Sequence, residues 1–174
     1  MSNMRFRAAI YFARPDALQG SLAITLNKVR PTLFGGVPRV WEKFEEKMKE
    51  VASKRGALAQ KLAGWAKRVG FSATQNQLKG KTMPFGFNLA NMLVFKKVKK
   101  AIGIDQSRVF IYGAAPLKKQ TREFFASLNI PLQNCYGMSE TGGLVTGSIN
   151  KPHWNDLNAA GVPLPGIYFK IEKK

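Results

Sequence analysis

Tyr136-Gly137-Met138-Ser139-Glu140-Thr141 gathers an aromatic ring, a glycine, hydroxyls and a carboxylate into one short stretch. An aromatic ring at a strand end can stack on a flat base. Gly137 lets the backbone turn sharply or approach a ligand closely. Ser139 and Thr141 offer hydroxyls, and the backbone N–H groups beside them can meet phosphate oxygens. Glu140 offers a hard oxygen ligand for a magnesium ion held on phosphates. Gly142-Gly143 keeps the following loop uncrowded. Taken alone, the same residues also fit an ordinary polar loop after a strand, because a short motif match is only a hypothesis. Gly113-Ala114-Ala115-Pro116 is weaker still. Small residues at a strand end permit close approach of a ligand, but they also simply turn the chain into a helix.

The elements around these residues must position them. Arg108 to Tyr112 is a short apolar strand, Leu117 to Leu128 fits a helix, and Pro131 to Tyr136 reads as a second strand. Strand, helix and strand at this length predict a βαβ unit with parallel strands over 107–136. In open α/β sheets ligands bind beyond the carboxyl ends of the strands, and both candidate motifs fall at such ends.

Upstream, Leu18, Leu22, Leu26 and Val29 recur at helical spacing, with Asp16 placed to cap the start and Arg30-Pro31 to end the helix. Thr32-Leu33-Phe34 reads as a buried strand running into Gly35-Gly36. A long helical region is predicted from Pro38 to about Val69, with a break at Ser53 to Gly56. Val40, Trp41, Phe44, Met48 and Val51 form its first apolar stripe, and Leu58, Leu62, Trp65 and Val69 its second. Thr74 to Gly86 reads as a polar loop. A further helix from about Asn88 to Ile102 carries Lys96, Lys97, Lys99 and Lys100. A lysine face of this kind is ordinarily the solvated side of a packed helix, although a basic helix can also lie on a membrane or meet phosphates. After the turn-rich segment Gly161 to Gly166, Ile167, Phe169 and Ile171 alternate with polar residues and predict a strand with one buried face.

With 174 residues the chain is long enough for one domain with a core. It holds 28 Lys and Arg against 10 Asp and Glu, a formal charge of +18 that attracts anions of any kind. Cys135 is the only cysteine, which excludes an internal disulfide and suits a reducing compartment. With His153 as the only histidine, a zinc site is not supported either. No apolar run approaches the length of a membrane span, so any membrane contact is expected to be peripheral. No zinc finger or RNA-recognition motif appears, and no specific nucleic-acid partner is expected. A basic protein binding anionic membrane or nucleic acid remains the alternative reading of the charge.

Taken together, Gly113-Ala114-Ala115-Pro116-Leu117 and Tyr136-Gly137 followed by Ser139-Glu140-Thr141 resemble the adenylate-forming superfamily. The segments Val29-Arg30-Pro31-Thr32 and Gly36-Val37-Pro38-Arg39-Val40-Trp41-Glu42-Lys43 are similar to long-chain acyl-CoA synthetases. Phe12-Ala13, Pro15-Asp16-Ala17-Leu18 and Asn134 to Thr141 look most like the bubblegum-type subgroup.

The resemblance implies an α/β fold: part of the large N-terminal domain of these synthetases over 1–166, with 167–174 starting a following strand or subdomain. It implies a two-step ligation in which a long-chain fatty acid and ATP give an acyl-adenylate and diphosphate, and coenzyme A then displaces AMP. Cofactors and co-substrates would be ATP, Mg2+ and coenzyme A. Tyr136 would stack on adenine, beside Gly137, Met138 and the Gly113-Ala114-Ala115 backbone. Ser139, where the family more often has Thr, would contact the α-phosphate, Glu140 would bind magnesium, and Thr141 would complete the nucleotide site. Ser139 and Glu140 are the expected catalytic pair. A cytoplasmic location is implied, with peripheral contact to the endoplasmic reticulum or another membrane.

The chain also departs from the pattern. It has no Gly-rich, Ser/Thr-rich loop ending in Pro-Lys-Gly, no Thr-Gly-Asp segment and no small domain bearing an adenylating lysine. It is therefore expected to be an internal fragment, inactive alone, with apolar faces left uncovered.

Overall fold

The structure is a computed structural model that describes residues 8–147 and 159–170. Its described strands form one mixed sheet in the spatial order β1 (Leu33–Gly36), β2 (Val109–Gly113), β3 (Leu132–Met138), β4 (Gly143–Gly147) and β5 (Val162–Pro163). β1, β2 and β3 are parallel; β4 and β5 continue the sheet antiparallel. The predicted βαβ unit is present: β2, helix α5 (Lys119–Ser127) and β3.

Period-two alternation decides which residues the sheet buries. Phe34, Phe110 and Leu132 share one register row, and all are buried. Helix α2 (Pro38–Ser53) covers that face, starting directly after β1 with Pro38 in its first turn, where a missing N–H costs nothing. Its Trp41 is fully buried and meets Phe34, Phe110 and Phe125 edge-on, with ring centroids 5.1, 6.4 and 5.2 Å away. The indole N–H donates to the Ile111 carbonyl at 3.2 Å, so the one polar atom of this side chain is satisfied. On the opposite face, Leu33 is exposed and Val109 and Ile111 are half-buried. Parallel sheets are ordinarily covered on both faces. On this face the cover is partial.

Helix α3 (Ala57–Leu78) begins at the break expected around Ser53 to Gly56 but runs well past Val69. The polar loop predicted from Thr74 is therefore wrong over Thr74 to Leu78. Thr74 is fully buried, and its hydroxyl donates to the Ala126 carbonyl of α5 at 2.8 Å. Polarity marked an inward hydrogen bond there, not solvent. Ala66, Gly70 and Ala73 join Thr74 in a stripe of small residues that lets α3 and α5 approach closely. A Cβ on Gly70 would lie 2.2 Å from the Ser127 carbonyl oxygen.

The helix predicted from Asp16 is also divided. Ala17–Gln19 is a 3-10 turn, and α1 spans Ser21–Val29. Gly20, at φ +124°, separates them. Asp16 is not the α1 cap, but its carboxylate accepts a hydrogen bond from Ser21 Oγ at 2.9 Å. Helix α4 is built from Phe87–Ala90, a π-helical turn Asn91–Phe95 and Lys96–Ile102. Its Ala90 and Phe95 pack with Ala66 and Trp65 in a second apolar cluster.

The strand predicted over 167–171 is absent from the described residues 167–170, which have no regular structure. A strand requires a hydrogen-bonding neighbour, and Val162–Pro163 is the last one paired to the described sheet. Ile171 lies outside the described residues.

Candidate functional site

The parallel register carries the carboxyl ends of β1, β2 and β3 to one edge. Gly36 pairs with Tyr112, and Gly113 with Cys135. Gly113-Ala114-Ala115 and Tyr136 to Thr141, far apart in sequence, are thus brought to neighbouring strand ends. Gly35-Gly36, the carboxyl end of β1, lies at the same edge. Its signal was present in the strand–glycine–helix pattern, but only pairing with β2 reveals the common edge.

Close backbone approach accounts for both strand glycines. A Cβ on Gly113 would lie 2.7 Å from the Cys135 carbonyl oxygen, and one on Gly137 only 2.2 Å from that of Gly143. Beyond Gly113 the chain turns through Ala114, at φ +68°, a left-handed conformation costing an alanine about 1–2 kcal/mol. Leu117 is buried and pins the far end of this turn. Lys118 forms an ion pair with Glu42 of α2 at 3.5 Å. The loop is held in a shape its sequence does not favour, a pattern that clusters at ligand sites.

The 136–141 segment leaves β3 through an irregularity between Tyr136 and Gly137, where the pairing with β4 shifts register. Bulges of this kind re-aim side chains at the ends of sheets. Tyr136 is 44% exposed, leaving surface for a planar partner to cover. Ser139–Thr141 forms a 3-10 turn closed by Gly142 at φ +71°. Thr141 is committed to shaping it. Its hydroxyl oxygen accepts from the Met138 N–H at 3.3 Å and lies 2.9 and 3.0 Å from the Met138 and Gly143 carbonyls. Ser139 and Glu140 are exposed, and among the described residues no hydrogen bond or ion pair engages either side chain. Of the two aliphatic hydroxyls in the motif, that of Ser139 is the one not engaged in a hydrogen bond among the described residues.

The described residues contain no group of three or more His, Cys, Asp and Glu placed to hold a metal by themselves. Magnesium is usually bound through one or two carboxylates together with substrate phosphates and water. Glu140 is the exposed carboxylate of the 136–141 segment. Cys135 is buried, and burial pushes its thiol pKa up, favouring the protonated form.

The AMP-binding enzyme family model matches residues 2–174. The long-chain-fatty-acid–CoA ligase ACSBG2 of Xenopus laevis is 49% identical over 98% of this chain and 23% of its own length. ACSBG2 of Gallus gallus is 48% identical over 97% of the chain and 22% of its own length. The long-chain-fatty-acid–CoA ligase ACSBG1 of Homo sapiens is 39% identical over 98% of the chain and 23% of its own length. The chain therefore spans less than a quarter of each of these relatives. No solved structure matches it.

Proposed function

This chain belongs to the AMP-binding enzyme family, in a segment homologous to bubblegum-type long-chain acyl-CoA synthetases, and on that premise we propose that it forms part of the nucleotide site of a long-chain fatty-acid–CoA ligase. The observation that supports the reading is the convergence of Gly113–Ala115 and Tyr136–Thr141 at the carboxyl edge of parallel strands. Substrates would be a long-chain fatty acid, ATP and coenzyme A, at a cytoplasmic site with peripheral access to a membrane.

The chemistry follows from what each group can do. The half-exposed Tyr136 ring stacks on adenine, and the strained Gly113-Ala114-Ala115 backbone lies close beside it. The turn that Thr141 braces presents the Ser139 hydroxyl to the α-phosphate. Glu140 supplies a carboxylate oxygen to magnesium, which when bound neutralises charge on the phosphates. A fatty-acid carboxylate oxygen then bonds to the α-phosphorus as the bond to diphosphate breaks. In the second step the coenzyme A sulfur bonds to the acyl carbon, its thiol proton is lost, and AMP leaves. Positioning and charge neutralisation supply the rate in such transfers.

Glu140→Gln keeps size and removes charge. In the complete enzyme it is expected to lower adenylate formation about a hundredfold or more, the scale of losing one electrostatic stabiliser. Thioester formation from pre-made acyl-adenylate should fall much less, because diphosphate has already departed. Folding stability should stay within about 0.5 kcal/mol, since the side chain is exposed. Equal loss in both half-reactions, or in neither, removes Glu140 from the metal-binding role.

A further inference from the structure

The positive charge of this chain is unevenly distributed. Residues 51–104 contain eleven Lys and Arg and no Asp or Glu. Within that stretch the connection from α3 to α4 carries a compact group of exposed apolar side chains. Phe85 is completely exposed, Met92 is 58% exposed, and Met83 and Leu89 are about half exposed. On α4, Leu89, Met92 and Lys96 are all exposed and follow one another within eight residues across the π-helical turn. Lys79, Lys81, Lys96, Lys97 and Lys100 surround this group in sequence and are all exposed. None of them forms an ion pair among the described residues.

The protrusion is held in place. The Lys81 N–H donates to the Asn76 carbonyl at 2.8 Å, and Asn76 Nδ2 donates to the Thr82 carbonyl at 2.8 Å. Gly86, at φ +81°, brings the backbone down on Trp65, where a Cβ would lie 3.1 Å from the ring. Phe87 and Phe95 face inward with ring centroids 6.1 Å apart, which leaves Phe85 and Met92 outward. Water is the wrong solvent for an anchored apolar tip of this kind. A nucleic acid would use the lysines but not the apolar tip, whereas a bilayer uses both. Apolar side chains enter the acyl boundary while lysine stems extend their ammonium groups to the headgroups.

We propose that Met83, Phe85, Leu89 and Met92, with their rim of lysines, form a docking surface that inserts shallowly into an anionic lipid bilayer. The proposal deepens the ligase reading, since a bilayer is where a long-chain fatty acid is concentrated. It is tested without nucleotide or fatty acid, so that failure of either reading is seen separately.

The full chain is mixed with vesicles of phosphatidylcholine, alone or with phosphatidylserine, and bound protein is measured by co-sedimentation. Binding is expected with phosphatidylserine and should weaken with salt. Phe85→Ser with Met92→Ser should lower partitioning about tenfold or more. Lys96→Gln and Lys97→Gln should each lower it about fivefold. Lys43→Gln, at a lysine paired to Glu46 on α2, should leave it unchanged. Circular dichroism confirms that each variant is folded. Phe85→Trp should be quenched by brominated acyl chains, a signal that a merely structural role for Phe85 does not produce. The proposal is overturned if the apolar double variant binds vesicles as tightly as the parent. It is equally overturned if bromine quenching is absent, if RNA competes for binding in a way the double variant does not alter, or if the double variant instead dissolves a dimer seen by sedimentation velocity.

Discussion

The Trp41 cluster and the 136–141 turn hang on the same parallel strands and differ in almost every physical respect. Trp41 sits on the sheet face, fully buried, with aromatic neighbours and its indole N–H satisfied by Ile111. Ser139 and Glu140 sit at the sheet edge, exposed, with their side chains uncommitted among the described residues. The first region spends its side chains on cohesion. The second is shaped almost wholly by backbone, through Gly137, Gly142 and the Thr141 hydroxyl, and keeps its chemistry-bearing groups for something else. Stability and activity should therefore respond to different residues, although the regions share a sheet.

The sharpest test of that separation is Trp41→Ala. It empties a buried aromatic site and should cost about 3–5 kcal/mol in chemical denaturation. A loss below about 1 kcal/mol would mean that the cluster is not the centre of the core. Glu140→Gln should do the reverse, as described above.

Gly137→Ala lies between the two. Its Cβ would lie 2.2 Å from the Gly143 carbonyl oxygen, so β3 and β4 must separate locally. A cost of about 1–3 kcal/mol is expected, as for other overpacked sites. Amide chemical-shift changes should concentrate in residues 136–147. If they spread across α2 and Trp41 instead, edge and face are one cooperative unit and the comparison fails.

The smallest effect concerns charge. Hydrogen bonds from Lys47 and then Lys54 hold the Glu50 carboxyl at about 2, below its usual 4.5. Because the folded value is depressed, this contribution is present above pH 4.5 and is lost as pH falls toward about 2. Lys54→Met should move the Glu50 titration upward, read from its side-chain carboxyl carbon by NMR, with the fold at neutral pH unchanged. No movement would show that Lys47 alone sets the value. The exposed pairs Lys43–Glu46 and Lys47–Glu50 of α2 resemble the lysines of α4 in composition but not in role. Acids answer the cations on α2, whereas residues 51–104 contain no acid of their own and the α4 lysines form no ion pair among the described residues.

Much of the architecture is legible in the sequence. The βαβ unit follows from short apolar runs spaced by a helix, and Pro38 and the Ser53 to Gly56 break mark helix ends through local backbone chemistry. Where the reading failed, the cause was a partner distant in sequence. Thr74 reads as solvent-facing until Ala126 stands opposite it. Ile167 to Lys170 alternate like a strand, but no described strand lies beside them. For the candidate site, the residue types at Tyr136–Thr141 already state the available chemistry. Which hydroxyl remains open to a ligand was not legible, because Thr141 and Ser139 offer the same group.

By itself, then, the sequence determined the local elements, the reservoir of positive charge and the identity of the groups that could meet a nucleotide. These depend on backbone propensity, periodicity and side-chain chemistry, all set within a few residues of one another. Only the tertiary structure decided that three strand ends share one edge, that Thr141 is consumed in shaping its own turn, and that Phe85 and Met92 face outward among unpaired lysines. Each of those outcomes depends on which distant backbone or ring occupies the neighbouring space, and hydrogen bonding and burial are settled by that occupancy.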